Sequence, residues 1–201
     1  MTKFAYLTLL AVAGLSITGA AQDKSAAPKK SVKKSVDKAA MAMPKPGPEM
    51  QELRSMIGTW TGDEQYEVSP FMPAGGTGSG TSTARLGPGG FSVLLEVRSK
   101  NSMGSFTGHG VFVWDANDKA YKSSWVDSMT PGLVVETGHK EGDNLVFTGE
   151  THMQGKKISI KDVYSDRTPG SFTLTSYMND GSGEKKVMTI KLTKQEPAAK
   201  K

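Results

Sequence analysis

Cysteine is absent from all 201 residues. No disulfide can staple this chain and no amino-terminal cysteine can carry a lipid, so the fold rests on its core alone. A membrane-length apolar run is missing too. Phe4–Ile17 is apolar but, at about 14 residues, falls short of the roughly 20 that a spanning helix needs. It follows Lys3 and ends in the small residues Thr18-Gly19-Ala20-Ala21. That order of charge, short apolar stretch and small-residue exit predicts a secretory signal peptide over 1–21, cleaved after Ala21, and a periplasmic or secreted protein. The recognisable catalytic motifs are missing as well. There is no cysteine nucleophile, Gly-Xaa-Ser-Xaa-Gly elbow, P-loop or His-Glu-Xaa-Xaa-His. Histidines number three. No catalytic residue is assigned, and an enzyme is not the expected class.

What is present begins with an uneven charge distribution. The chain carries a formal +5. Lys3 supplies one unit, residues 22–48 supply five, and Lys200 and Lys201 supply two, which leaves −3 for residues 49–199. The basic charge therefore sits outside the folding part, and no nucleic-acid face is expected on the domain. Residues 22–48 are rich in Lys, Ser, Ala and Pro and read as a disordered linker. Within it Lys30-Ser31-Val32-Lys33 is echoed by Lys34-Ser35-Val36-Asp37, whose cations suit weak contact with an anionic envelope surface. Residues 195–201 read as a disordered tail.

The folding part, 49–194, opens on helix signals. Pro48, the acids Glu49 and Glu52, apolar Leu53, Met56 and Ile57, and then Gly58 predict two to three helical turns. Past Gly58 the period changes to two, with turn residues every eight to twelve positions. Trp60, Glu64, Tyr66 and Val68 share one face of the first predicted strand. Gly75–Arg85 is a small-residue strand, where either close packing or a mobile flap is expected. Phe91, Val93, Leu95 and Val97 alternate clearly. Phe106–Asp115 follows, with two competing inner faces. Tyr121, Ser123, Trp125 and Asp127 then share a face, as do Leu133, Val135, Thr137 and His139. Leu145 and Phe147, Ile158 to Tyr164, Phe172 to Met178 and Met188 to Leu192 complete about ten strands. The pattern is all-β, an antiparallel up-and-down meander with a short N-terminal helix. A meander of this length closes into a barrel rather than leave long edges exposed.

Three pieces of sequence resemble the DUF1579 family, an uncharacterised bacterial group placed with the calycins, the lipocalin-like and nitrobindin-like barrels. They are Leu53 with Ile57-Gly58-Thr59-Trp60-Thr61-Gly62, then Gly87-Pro88-Gly89-Gly90-Phe91, and Gly108-His109-Gly110 running to Trp114-Asp115, Lys119-Ala120-Tyr121 and Trp125-Val126-Asp127-Ser128. The resemblance runs over Met50–Leu192. The resemblance implies a closed barrel with a short helix plugging one end, and no activity. Because nitrobindin-like barrels hold haem through a histidine, it also offers His139 or His109 as an axial ligand. No cofactor is expected, and haem stands as the alternative.

Polar residues at inward positions point to the site. Glu64, Asp127, His139, Asp162 and Ser176 fall on faces read as internal, where an unpaired charge in a filled core costs several kcal/mol. A cavity holding a small apolar or amphipathic molecule accommodates them. The expected lining is Trp60, Glu64, Tyr66, Tyr121, Trp125, His139, Asp162 and Tyr164, with no metal. His152 shares its parity with Glu150 and should face water. Methionines such as Met178 and Met188 read as core filler rather than as copper ligands. The alternative to ligand binding is an envelope-associated structural protein acting through its surface and basic tail. Oligomeric state is not legible.

Overall fold

The computed structural model describes residues 44–69, 72–153 and 155–196. The predicted signal peptide, nearly all of the predicted linker and the end of the predicted tail lie outside the described residues.

The described chain is a closed barrel of ten antiparallel strands preceded by one short helix. Helix α1 is Met50–Arg54. The strands are β1 (Gly58–Tyr66), β2 (Gly76–Leu86), β3 (Ser92–Asn101), β4 (Gly104–Asp115) and β5 (Ala120–Asp127). They continue as β6 (Val134–Glu141), β7 (Asn144–Met153), β8 (Lys156–Ser165), β9 (Ser171–Asn179) and β10 (Lys185–Lys194). Each strand pairs with its neighbours in sequence, and β1 pairs with β10 from Trp60↔Lys194 to Tyr66↔Met188 to close the cylinder. An even strand number lets first and last strands meet antiparallel, so no edge is left unpaired.

The helix is shorter than its sequence signals suggest. α1 makes one turn of five residues and then tightens, with Met56 N–H donating to the Leu53 carbonyl and Ile57 N–H to the Arg54 carbonyl. The Trp60 indole N–H donates to the Met56 carbonyl at 2.8 Å, which satisfies a carbonyl that a longer helix would have used. Gly58, at φ 139°, turns the chain into β1 there.

α1 seals one end of the barrel. Met50, Leu53 and Met56 pack onto Trp60, Val93, Phe112, Tyr121, Leu145, Phe147, Phe172 and Leu192. Trp60 meets the edge of Phe172 with ring centroids 4.7 Å apart, and Phe112 meets Phe147 at 5.5 Å. Arg167, in the β8–β9 loop, ties the helix down. Its guanidinium donates to the Glu52 carboxylate at 2.9 Å, to the Glu52 carbonyl at 3.0 Å and to Ser55 Oγ at 2.8 Å. The Tyr121 hydroxyl donates to the Glu49 carbonyl at 3.2 Å.

Strand boundaries correct two sequence readings, and burial settles a face left open on a third strand. β1 ends at Tyr66, so Val68 lies beyond it, exposed. Phe91 precedes β3 and is exposed. On β4 the inner face belongs to Phe106, Gly108, Gly110, Phe112 and Trp114, not to Val111 and Val113. The small residues of β2 serve close packing: a Cβ on Gly80 would stand 2.4 Å from the Cβ of Ser99.

Replacing Trp60 with Ala removes the floor's largest fully buried side chain and should cost about 3–5 kcal/mol. Urea denaturation followed by far-ultraviolet circular dichroism reads this directly.

Candidate binding cavity

Above the packed floor the barrel is hollow. A cavity of about 310 Å³ occupies the half away from α1, and a smaller one of about 60 Å³ continues it toward Met56 and Trp60. The two share Glu64, Leu95, Val97, Tyr164, Leu174 and Ile190 in their walls. The larger volume lies at the lower end of the range for small-molecule sites, roughly 300–1,000 Å³. Its mouth is formed where the β1–β2, β3–β4 and β5–β6 connections bring in Met72, Met103 and Met129. Met153, Met178 and Met188 stand near the same end on β7, β9 and β10. Six methionines thus line the opening, where their flexible thioethers offer an adaptable apolar surface. Met178 and Met188 border open space rather than fill a core.

Of the residues expected to line a cavity, Glu64, Tyr66, Trp125, Asp162 and Tyr164 do so. Trp60 reaches only the smaller extension. Tyr121 belongs to the floor, packed edge-on against Trp114 at 4.9 Å. His139 is misassigned. Along β6 the buried positions are Glu136 and Gly138, and His139 points outward, its side chain 54% exposed and 2.9 Å from Glu141. The outward positions of this segment carry Leu133 and Val135, 62% and 53% exposed, and two aliphatic residues on a wet face shift the apparent register by one. Glu136 is the residue that sequence reasoning missed for the same reason.

His109 and His152 are also exposed, and none of the three histidines borders the cavity. No histidine is therefore placed to ligate a haem inside this cavity.

Trp125 is held flat against the wall because its neighbours are glycines. A Cβ on Gly108 would stand 2.2 Å from the Trp125 ring. The indole stacks on Phe106 at 6.3 Å, and its N–H donates to Asp127 Oδ2 at 2.9 Å. Asp127 Oδ1 accepts from the backbone N–H groups of Met129 and Thr130, at 2.8 and 2.6 Å, so this carboxylate is committed to shaping the β5–β6 loop. On the opposite wall Asn101 donates to the Tyr66 hydroxyl, which donates to Glu64 Oε2 at 2.7 Å. Burial, and donation to Glu64, raise the Tyr66 pKa.

The remaining two carboxyl groups form the electrostatic centre. Glu136 is 7% exposed, and its Oε2 accepts from Ser123 Oγ at 2.7 Å. Asp162 Oδ1 accepts from Ser176 Oγ at 2.5 Å. β7 runs between them, with Gly149 beside Glu136 and Phe147 beside Asp162. A Cβ on Gly149 would press on Glu136 Cγ at 2.9 Å, so glycine there gives the Glu136 side chain its room. Burial, and the nearby Asp162, push Glu136 up to about 7. Burial pushes Asp162 up to about 6, against the bond from Ser176. Tyr164 is raised well above the ordinary phenol range by burial and by both carboxylates.

The family model described as a protein of unknown function (DUF1579) matches residues 45–194. No curated protein matches the chain. Among solved structures, Rv2717c from M. tuberculosis superposes with a TM-score of 0.56 at 14% identity, over 76% of this chain and 100% of that one. The S-type phycobiliprotein lyase CPES from Guillardia theta gives 0.49 at 11% identity, over 76% and 99%. A de novo designed fluorescence-activating β-barrel gives 0.41 at 12% identity, over 71% and 95%. At such identities the likeness is one of fold.

Two raised carboxyl groups make stability depend on pH. The folded state holds these protons more tightly than the unfolded chain, so their contribution is fully present below about pH 4 and is lost as pH rises toward 7. Glu136→Gln should flatten that fall and gain roughly 1–3 kcal/mol over the wild type at pH 8. Urea midpoints of both proteins at pH 5 and pH 8 give the comparison.

Proposed function

The chain belongs to the DUF1579 family, and we propose that this protein is an exported, non-enzymatic carrier that holds one small apolar or amphipathic molecule in the mouth half of its barrel. The observation that carries the reading is the cavity of about 310 Å³, walled by Leu95, Val97, Phe106, Phe112, Trp125 and the methionines. Such a surface stays apolar and open only at a cost in stability, since a barrel of this size can be filled by its own side chains. A guest that excludes water from it recovers that cost. Polar groups in the wall, Glu64, Tyr66, Glu136, Asp162 and Ser176 among them, give the guest an orientation.

Export is part of the proposal and rests on the first 21 residues alone. Mass spectrometry of the protein recovered from its host should give a mature chain beginning at Gln22. A chain retaining Phe4–Ile17 overturns export by cleavage.

The binding reading is tested with a neutral fluorescent probe, N-phenyl-1-naphthylamine, titrated into the folded protein. One saturable site with a blue-shifted emission is expected. Val97→Trp, which places an indole in the cavity, should weaken the probe at least tenfold while leaving the far-ultraviolet spectrum intact. Equal binding by wild type and variant overturns the site.

A further inference from the structure

The cavity's charges all have one sign. Glu64, Asp127, Glu136 and Asp162 line it, and no lysine, arginine or histidine is among the described residues of its wall. A row of acids alone marks no site, and two of these four are already accounted for. Asp127 is saturated by Trp125, Met129 and Thr130, and Glu64 accepts from Tyr66. Glu136 differs. It is 7% exposed, faces the cavity, and one of its oxygens, Oε1, has no hydrogen-bond partner while Oε2 accepts from Ser123. An unmet buried acceptor costs about 1–3 kcal/mol, and more when it is charged. Among the described residues nothing donates to Oε1, and no cation lines the cavity.

From the orphaned Glu136 oxygen and the wholly acidic, aromatic-lined wall, we infer that the guest is a cationic amphiphile, a primary amine whose ammonium head sits between Glu136 and Asp162. This deepens the carrier reading and rests on it. The head would donate to Glu136 Oε1 and share the field of Asp162, two strands away across β7. Attraction between opposite charges grows as water is excluded, and the desolvation cost of the cation is offset only where such partners stand ready. Trp125, Tyr66 and Tyr164 present ring surfaces to the same space, and aromatic faces favour a cation over a neutral or anionic head. The methionine mouth accepts the hydrocarbon tail without demanding one shape. An anionic amphiphile such as a fatty acid meets four carboxyl groups and no cation, and is disfavoured.

The buried carboxyl groups fit this chemistry. With no cation present, burial holds both toward the protonated form, and repulsion from Asp162 adds to it at Glu136. A bound ammonium reverses that tendency and brings the pair into the ionised state.

Calorimetric titration of the mature protein with octylammonium, octanol and octanoate at pH 8 tests the inference with one chain length and three heads. Octylammonium should bind at least tenfold more tightly than octanol, and octanoate more weakly than either. Glu136→Gln should collapse the octylammonium-to-octanol ratio toward one. Asp162→Asn should lower the same ratio and serves as the second variant if Glu136→Gln fails to fold. Octanol or octanoate binding as tightly as octylammonium overturns the amine and leaves the carrier standing. No binding of any of the three, together with no response to N-phenyl-1-naphthylamine, overturns both. An unchanged ratio in the folded variants moves the head away from Glu136 and overturns its assigned position.

Discussion

The antiparallel seam between β1 and β10 is the constraint on which everything else in the molecule depends. Seven residue pairs, Trp60↔Lys194 to Tyr66↔Met188, join the first strand to the last. Without them the meander would be an open sheet with two long edges and one face in water. With them, alternation along each strand sorts side chains into a wall exterior and an enclosed interior. An aspartate at position 162 is tolerable because the interior that closure creates is not filled to the top.

The interior is graded along its axis. At the α1 end, aromatic rings from β1, β4, β5, β7, β8 and β9 meet edge to face and leave only the smaller cavity of about 60 Å³. Toward the mouth the side chains become serine, methionine and carboxyl groups, and space opens. The floor supplies stability and allows the upper half to be hollow. Arg167 and Glu52 matter in that division. Hydrogen bonds from Lys140 and Arg167 hold the Glu52 carboxyl below its ordinary pKa, keeping it ionised as an anchor for the plug. Glu136 and Asp162 have no such basic partners among the described residues, and their pKa values move the other way.

Much of this was legible in the residues. The change from helical to alternating period at Gly58, the turn signals and the three family-like segments lead to a ten-strand barrel plugged by a helix. They also place Glu64, Tyr66, Trp125, Asp162 and Tyr164 on inner faces. On β6 periodicity misleads, because Leu133 and Val135 present apolar side chains to water and draw the apparent inner face onto His139. Periodicity reports where apolar residues recur, and an exposed aliphatic pair counts there as much as a buried one. Tyr121 was given the right face but the wrong depth, since parity carries no information about position along the barrel axis.

By itself, then, the sequence determined the class of fold, the absence of covalent staples, the confinement of the net positive charge to the segments flanking the domain, and the sidedness of most strands. Those are local properties, set by composition and by the geometry of a pleated chain. Only the tertiary structure decided that six methionines distant in sequence meet at one mouth, that Gly108 and Gly149 make room for Trp125 and Glu136, and that one oxygen of Glu136 is left unpartnered. These depend on the shear with which ten strands are staggered around a common axis. That stagger arises from the pairing of all ten and is written in no single one of them.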